Sequence, residues 1–195
     1  NFANSLINLA APGTYSLQSY SGVPIVAPAW AAAIGYTCTG FSAMFGAPLG
    51  FPAAPSGQNT AMFAAITNVT SGVIFGTNTP PGPVAYTVEI MPISGANVHA
   101  ANCNTGLVDA GAAAANGVLG INNRDVYVNG TVPFVLSPSI AVVNKTLMIL
   151  ASADITGSPQ ARMVGEMSAF VKYVNAITTA QALALSWAME QIRSA

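Results

Sequence analysis

No Asp, Glu, Lys or Arg precedes Glu89, so the first 88 residues of this 195-residue chain carry no ionic side chain, while Asn, Ser, Thr, Gly and Pro are abundant. The whole chain holds five Lys and Arg and six Asp and Glu, 6% in total, where soluble domains ordinarily carry about a quarter. Its surface must be wetted by amides and hydroxyls. Such a surface gives up little charge solvation on meeting a neutral neighbour. Its strand edges also lack the charged residues that normally block edge-to-edge pairing. The chain is therefore expected to associate with copies of itself, as a homo-oligomer or polymer.

Length and a 52% hydrophobic content suffice for one core, so a single domain over 1–195 is expected, with 1–27 an extended arm that can engage a neighbouring subunit. A net charge of −1 with five basic residues cannot neutralise the several phosphates that nucleic-acid binding requires. The apolar stretch 23–51 is broken by Pro24, Pro28 and Pro48, which leaves no run of about 20 helix-compatible residues for a membrane span. The sequence opens on Asn1 without a leader pattern in 1–20, so removal of an earlier leader is expected. Cys38 and Cys103 permit a disulfide worth about 3 to 4 kcal/mol, or else two buried thiols. Three N-x-[ST] sequons stand at Asn68, Asn129 and Asn144, the acceptor pattern for N-linked glycans. Together these features predict an exported glycoprotein, extracellular or at a cell surface.

The expected fold class is α+β, with a β-rich N-terminal two-thirds of short strands and loops. Prolines crowd the region from Pro12 to Pro92, so strands are expected at 15–19, 23–27 and 72–75, with helical exceptions at 29–35 and 59–67. Asn78 to Pro83 reads as a stiff loop, 84–91 as a strand, and 116–123 as a glycine-rich turn. The strongest local signal is Asn129-Gly130 between two β-type runs in 125–136, a type I′ hairpin whose second strand Pro133 confines to a sheet edge. The apolar run 146–151 predicts a central buried strand. Met163, Met167, Phe170, Val174 and Ile177 recur at spacings of four and three, which predicts a long C-terminal helix over 159–193 with Arg162 and Glu166 paired on its surface. The apolar run 180–188 is expected deep in the core or docked on another subunit.

Chemistry is sparse. His99 is the sole histidine, Gly-x-Ser-x-Gly is absent, and one His with two distant cysteines matches no metal-ligand spacing. No cofactor is expected. The alternative to a structural subunit is a secreted enzyme or small-ligand binder centred on Asp154, with His99 and Arg124 nearby, because Asp154 follows a buried strand where α/β sheets place ligands. Over this short stretch Ser152-Ala153-Asp154 resembles the strand-end Ser-Asp of the nucleoside phosphorylase family, which implies a nucleoside-type ligand. That family's phosphate loops and ribose-reading acid have no counterpart in the charge-free half. The segment 22–28 resembles the Gly-Thr-Ser-x-x-Ala-Pro region of subtilisin-like and sedolisin-like peptidases, but Pro24 occupies the nucleophile's position. In composition alone the chain is similar to surface filament proteins of archaea from hot or acidic habitats.

Overall fold

The computed structural model describes residues 17–19, 28–31, 34–40, 44–46, 52–54, 57–78, 86–153 and 159–194. In chain order its strands are β1 (Leu17–Ser19), β2 (Ala29–Ala31), β3 (Gly35–Thr39), β4 (Met44–Gly46), β5 (Pro52–Ala54), β6 (Ala61–Ser71), β7 (Phe75–Asn78), β8 (Thr87–Ser94) and β9 (Asn97–Asn104). There follow β10 (Val108–Ala112), β11 (Gly117–Asn122), β12 (Asp125–Val128), β13 (Thr131–Val135), β14 (Val143–Thr146), β15 (Met148–Ile149), β16 (Ser152–Ala153), β17 (Pro159–Gln160) and β18 (Val164–Tyr173), then helix α1 (Thr179–Ser194).

Two sheets carry the fold. A seven-stranded sheet runs β13-β12-β11-β6-β18-β3-β2, and a nine-stranded sheet runs β1-β4-β15-β7-β8-β9-β10 with β16 beside β7 and β17 beside β16. They face each other across one core, to which the first contributes Met62, Ala64, Ile66, Leu119 and Ile121 and the second Phe75, Val88, Ile90, Val98 and Ala100. The reverse face of the seven-stranded sheet is apolar as well: Ala61, Phe63, Ala65, Val118 and Tyr127 are covered by Ala182, Leu185 and Met189 of α1. The architecture is therefore sheet, sheet, helix, a β-rich member of the α+β class.

Double coverage explains the largest departures from expectation. The helix expected at 59–67 is instead β6, a central strand whose residues alternate between the inter-sheet core and the face under α1; burial on both faces overrides the helix preference of its alanines. The turn expected at 116–123 is β11, buried along its whole length, because glycines there admit large neighbours rather than bend the chain. Residues 29–31 and 35–39 form the hairpin β2–β3 in place of a helix. The helix expected over 159–193 is confined to α1, and 164–173 is strand β18. Its helical spacing has a plain cause. Between Met167 and Ala169 the β6–β18 register shifts, so Ser168 is an extra residue, and Met167 and Phe170, three apart, point to the same face. Arg162 and Glu166 accordingly do not form a helical pair, and the Arg162 Nη1 donates to the Gly40 carbonyl at 3.2 Å.

Other expectations hold. The hairpin β12–β13 turns on Asn129 (φ 50°) and Gly130 (φ 73°), with Val128 opposite Thr131, and β13 with its Pro133 is the last strand of its sheet. Residues 147–151 are buried and β15 lies inside the nine-stranded sheet, but its ladder is two residues long because Leu150 (φ 68°) turns the chain. The expected strand at 23–27 and the proline loop from 79 lie outside the described residues.

Candidate functional site

The residues singled out as a possible catalytic group are not brought together among the described residues. His99 sits on β9 in the nine-stranded sheet, and its Nε2 lies 2.6 Å from Oδ1 of Asp109, its cross-strand partner on β10. Arg124 is in the turn between β11 and β12 of the other sheet, where its Nε donates to the Leu136 carbonyl at 2.7 Å and fixes the end of β13. Asp154 lies outside the described residues. No group of three His, Cys, Asp or Glu side chains able to hold a metal occurs among the described residues.

Cys38 and Cys103 are both buried free thiols, the second of the two states that the sequence left open. Topology separates them. Cys38 is on β3, next to the β2 end of the seven-stranded sheet, while Cys103 is on β9, next to the β10 end of the other. The β10 edge packs against β13, so the two cysteines belong to opposite lateral ends of the sandwich. Burial pushes Cys38 up to about 12 and Cys103 up to about 11, which removes the thiolate needed for nucleophilic chemistry.

Around Cys103 lies a groove of about 680 Å³ lined by Tyr86, Asn104, Leu107, Val108, Ser139 and Ile140 among others. Beside it, reaching Ser137 and Ser139 of its lining, is an amide network that the sequence did not lead us to expect. The Gln58 Nε2 donates to the carbonyls of Asn102 (2.8 Å) and Ser137 (2.9 Å), and its Oε1 accepts from the Ser139 N–H at 2.8 Å. The Asn102 Nδ2 donates to the Gln58 carbonyl at 3.1 Å and the Asn123 carbonyl at 2.7 Å. These bonds tie 57–58, β9 and 137–139 together. The groove's lining carries no ionic side chain. Uncharged amides in a strand-forming stretch were the only signal of this network, and they do not tell a buried amide from an exposed one.

A second buried polar contact crosses the nine-stranded sheet. Ser152 Oγ donates to Glu89 Oε2 at 2.5 Å above Gly76, whose missing side chain leaves the space for it: a Cβ there would lie 2.9 Å from Ser152 Oγ. Burial raises the Glu89 carboxyl above its ordinary range, and the serine bond partly opposes the shift.

Among the described residues the two neighbours of β18 pair with it over different lengths. β6 pairs with β18 from Val164 to Tyr173, whereas β3 pairs with it only from Val164 to Met167. Past Ser168 the chain of β3 turns back into β2, so the edge of β18 formed by Ala169, Phe170, Val171 and Tyr173 has no strand partner among the described residues. Phe170 there is only partly buried and meets Phe75 of the other sheet edge-on at 5.6 Å. Apolar exposure continues on α1, where Leu183, Trp187 (68% exposed) and Ile192 (56%) face outward, so the run 180–188 is covered on one side only. No described helix is long and apolar enough to cross a membrane. The chain matches no described protein family and no curated protein.

Proposed function

We propose that the protein is an extracellular structural subunit of a self-assembling filament, coat or surface layer, joined through low-charge interfaces. The observation that supports this most is the scarcity of charge, with no ionic side chain before Glu89, beside apolar side chains exposed on α1. Sheet edges without charged gatekeepers invite an added strand, whose main-chain hydrogen bonds supply affinity while alternate side chains supply fit. Of the arm expected at 1–27, residues 17–19 are strand β1 paired with β4 of their own subunit, so the segment to offer a neighbouring copy is 1–16: it is uncharged, and in 6–11 Ile7, Leu9 and Ala11 alternate with Asn8 and Ala10.

Negative-stain microscopy of the full-length chain is expected to show regular filaments or shells. A synthetic peptide of residues 1–16 added in excess should shorten them by competing for the sheet edge that this segment joins. A monodisperse monomer at high concentration, with the arm rigidly docked on its own subunit, would overturn the proposal.

A further inference from the structure

Of the three sequons, two have described side chains, and they differ in how those side chains are held. Asn68-Val69-Thr70 lies in β6 where the ladder with β18 is broken. Thr67 is opposite Glu166 and Ser71 opposite Val164, so the three sequon residues stand against Gly165 alone and are pushed out of the sheet as a bulge. Asn68 has φ 52°. Val69 is buried and its N–H donates to the Ala115 carbonyl at 2.9 Å, while the Asn68 N–H donates to Asn116 Oδ1 at 2.9 Å. The backbone of the bulge is thus held from the other side. Gly165 is required opposite it, since a Cβ there would come within 2.7 Å of the Val69 Cα. Asn68 and Thr70 are both exposed, and neither side chain makes a hydrogen bond among the described residues.

The sequon at Asn129 is the reverse case. Its Asn129 Oδ1 accepts from the Val118 N–H at 3.0 Å, and Thr131 Oγ1 donates to the Val128 carbonyl at 2.7 Å. The Asn129 carboxamide lies over Gly117, its nitrogen 2.9 Å from where a Gly117 Cβ would stand. Asn129 and Thr131 are exposed, but the Asn129 oxygen and the Thr131 hydroxyl are both committed to the hairpin. The Asn144 side chain lies outside the described residues.

We infer that Asn68 is an N-glycan attachment site displayed by the β6 bulge, and that Asn129 is a structural asparagine left unmodified. The inference rests on the exported character proposed above. The co-reactant is an oligosaccharide carried on a lipid phosphate. The Asn68 Nδ2 forms the bond to the anomeric carbon, the bond from that carbon to the phosphate oxygen breaks, and the amide loses one proton as the lipid phosphate departs, with no change in oxidation state.

Peptide mapping by mass spectrometry of protein recovered from the cells that export it provides the test. The peptide containing Asn68 is expected to carry added mass in multiples of sugar residues. That mass should be lost in Asn68→Gln and in Thr70→Val, the second of which keeps Asn68 and its backbone geometry, and should be retained in Asn129→Gln. A bare Asn68 peptide, or a glycan on Asn129, would overturn the inference. A glycan at Asn68 on a protein that microscopy shows as discrete monomers would support the inference and sink the assembly proposal, so the two fail separately.

Discussion

Tyr127 is fully buried, and its ring closes with that of Phe63 at 5.4 Å over Gly120, which lies between them in register. The hydroxyl has followed the ring inside, and no hydrogen-bond partner for it occurs among the described residues. An unsatisfied buried hydroxyl costs about 1 to 3 kcal/mol. Tyr127→Phe is therefore expected to stabilise the protein by about 1 kcal/mol, seen as a raised denaturation midpoint with an unchanged slope; a loss of stability would mean that the hydroxyl is satisfied. Gly120→Ala should do the opposite. The added methyl meets the Phe63 ring in a close-packed layer, and overpacking of this kind costs about 1 to 3 kcal/mol, measurable in the same denaturation experiment.

At the level of elements, what could be read from sequence was what local chemistry decides. Asn129-Gly130 needs positive φ at two successive residues, and few other dipeptides supply it, so the hairpin and the edge position of Pro133 were legible. The start of α1 is also set locally, though the sequence reading began that helix at 159: the Thr178 Oγ1 accepts from the Gln181 N–H at 3.2 Å, and Gln181 Oε1 accepts from the Thr178 N–H at 2.9 Å, a reciprocal cap. Thr178→Ala should cost about 1 kcal/mol and fray the first turn, which helix amide exchange would detect. Elements decided by tertiary context were not legible. β6 is alanine-rich because it is squeezed between two apolar layers, and β18 imitates a helix because a bulge resets its alternation at Ser168. The uneven pairing of β18 could not be foreseen, since it exists only if 164–173 is a strand. The amide network and the Glu89–Ser152 contact were hidden for a related reason: spacing says nothing of which polar side chains a fold turns inward.

For the whole molecule, so few ionic groups leave its pH response to a small number of sites, two of which run against the usual direction. Burial raises the Glu89 carboxyl above the 4.5 of a free one, so the folded state holds that proton more tightly than the unfolded chain. Its contribution is fully present below about pH 4.5 and is lost as pH rises through the folded value. Lys172 shares with Met62 the inward face of the seven-stranded sheet, and burial pulls it from 10.5 down to about 8. The folded state gives up this proton first, so the cost of holding the charge is full below about pH 8 and is relieved between there and 10.5, by about 1 to 2 kcal/mol after allowance for solvent screening. Glu190 alone among the shifted carboxyls moves the ordinary way, lowered by the Arg193 hydrogen bond on the exposed face of α1, where such pairs are worth less than about 1 kcal/mol. The sum is a shallow minimum of stability near neutral pH, with gains toward acid and toward alkali. Denaturation midpoints measured from pH 3 to pH 10 should trace that shape. Glu89→Gln should flatten its acid limb and Lys172→Met its alkaline limb. A maximum near pH 7 with a steep loss below pH 4 would mean that neither buried group governs the fold's response to protons.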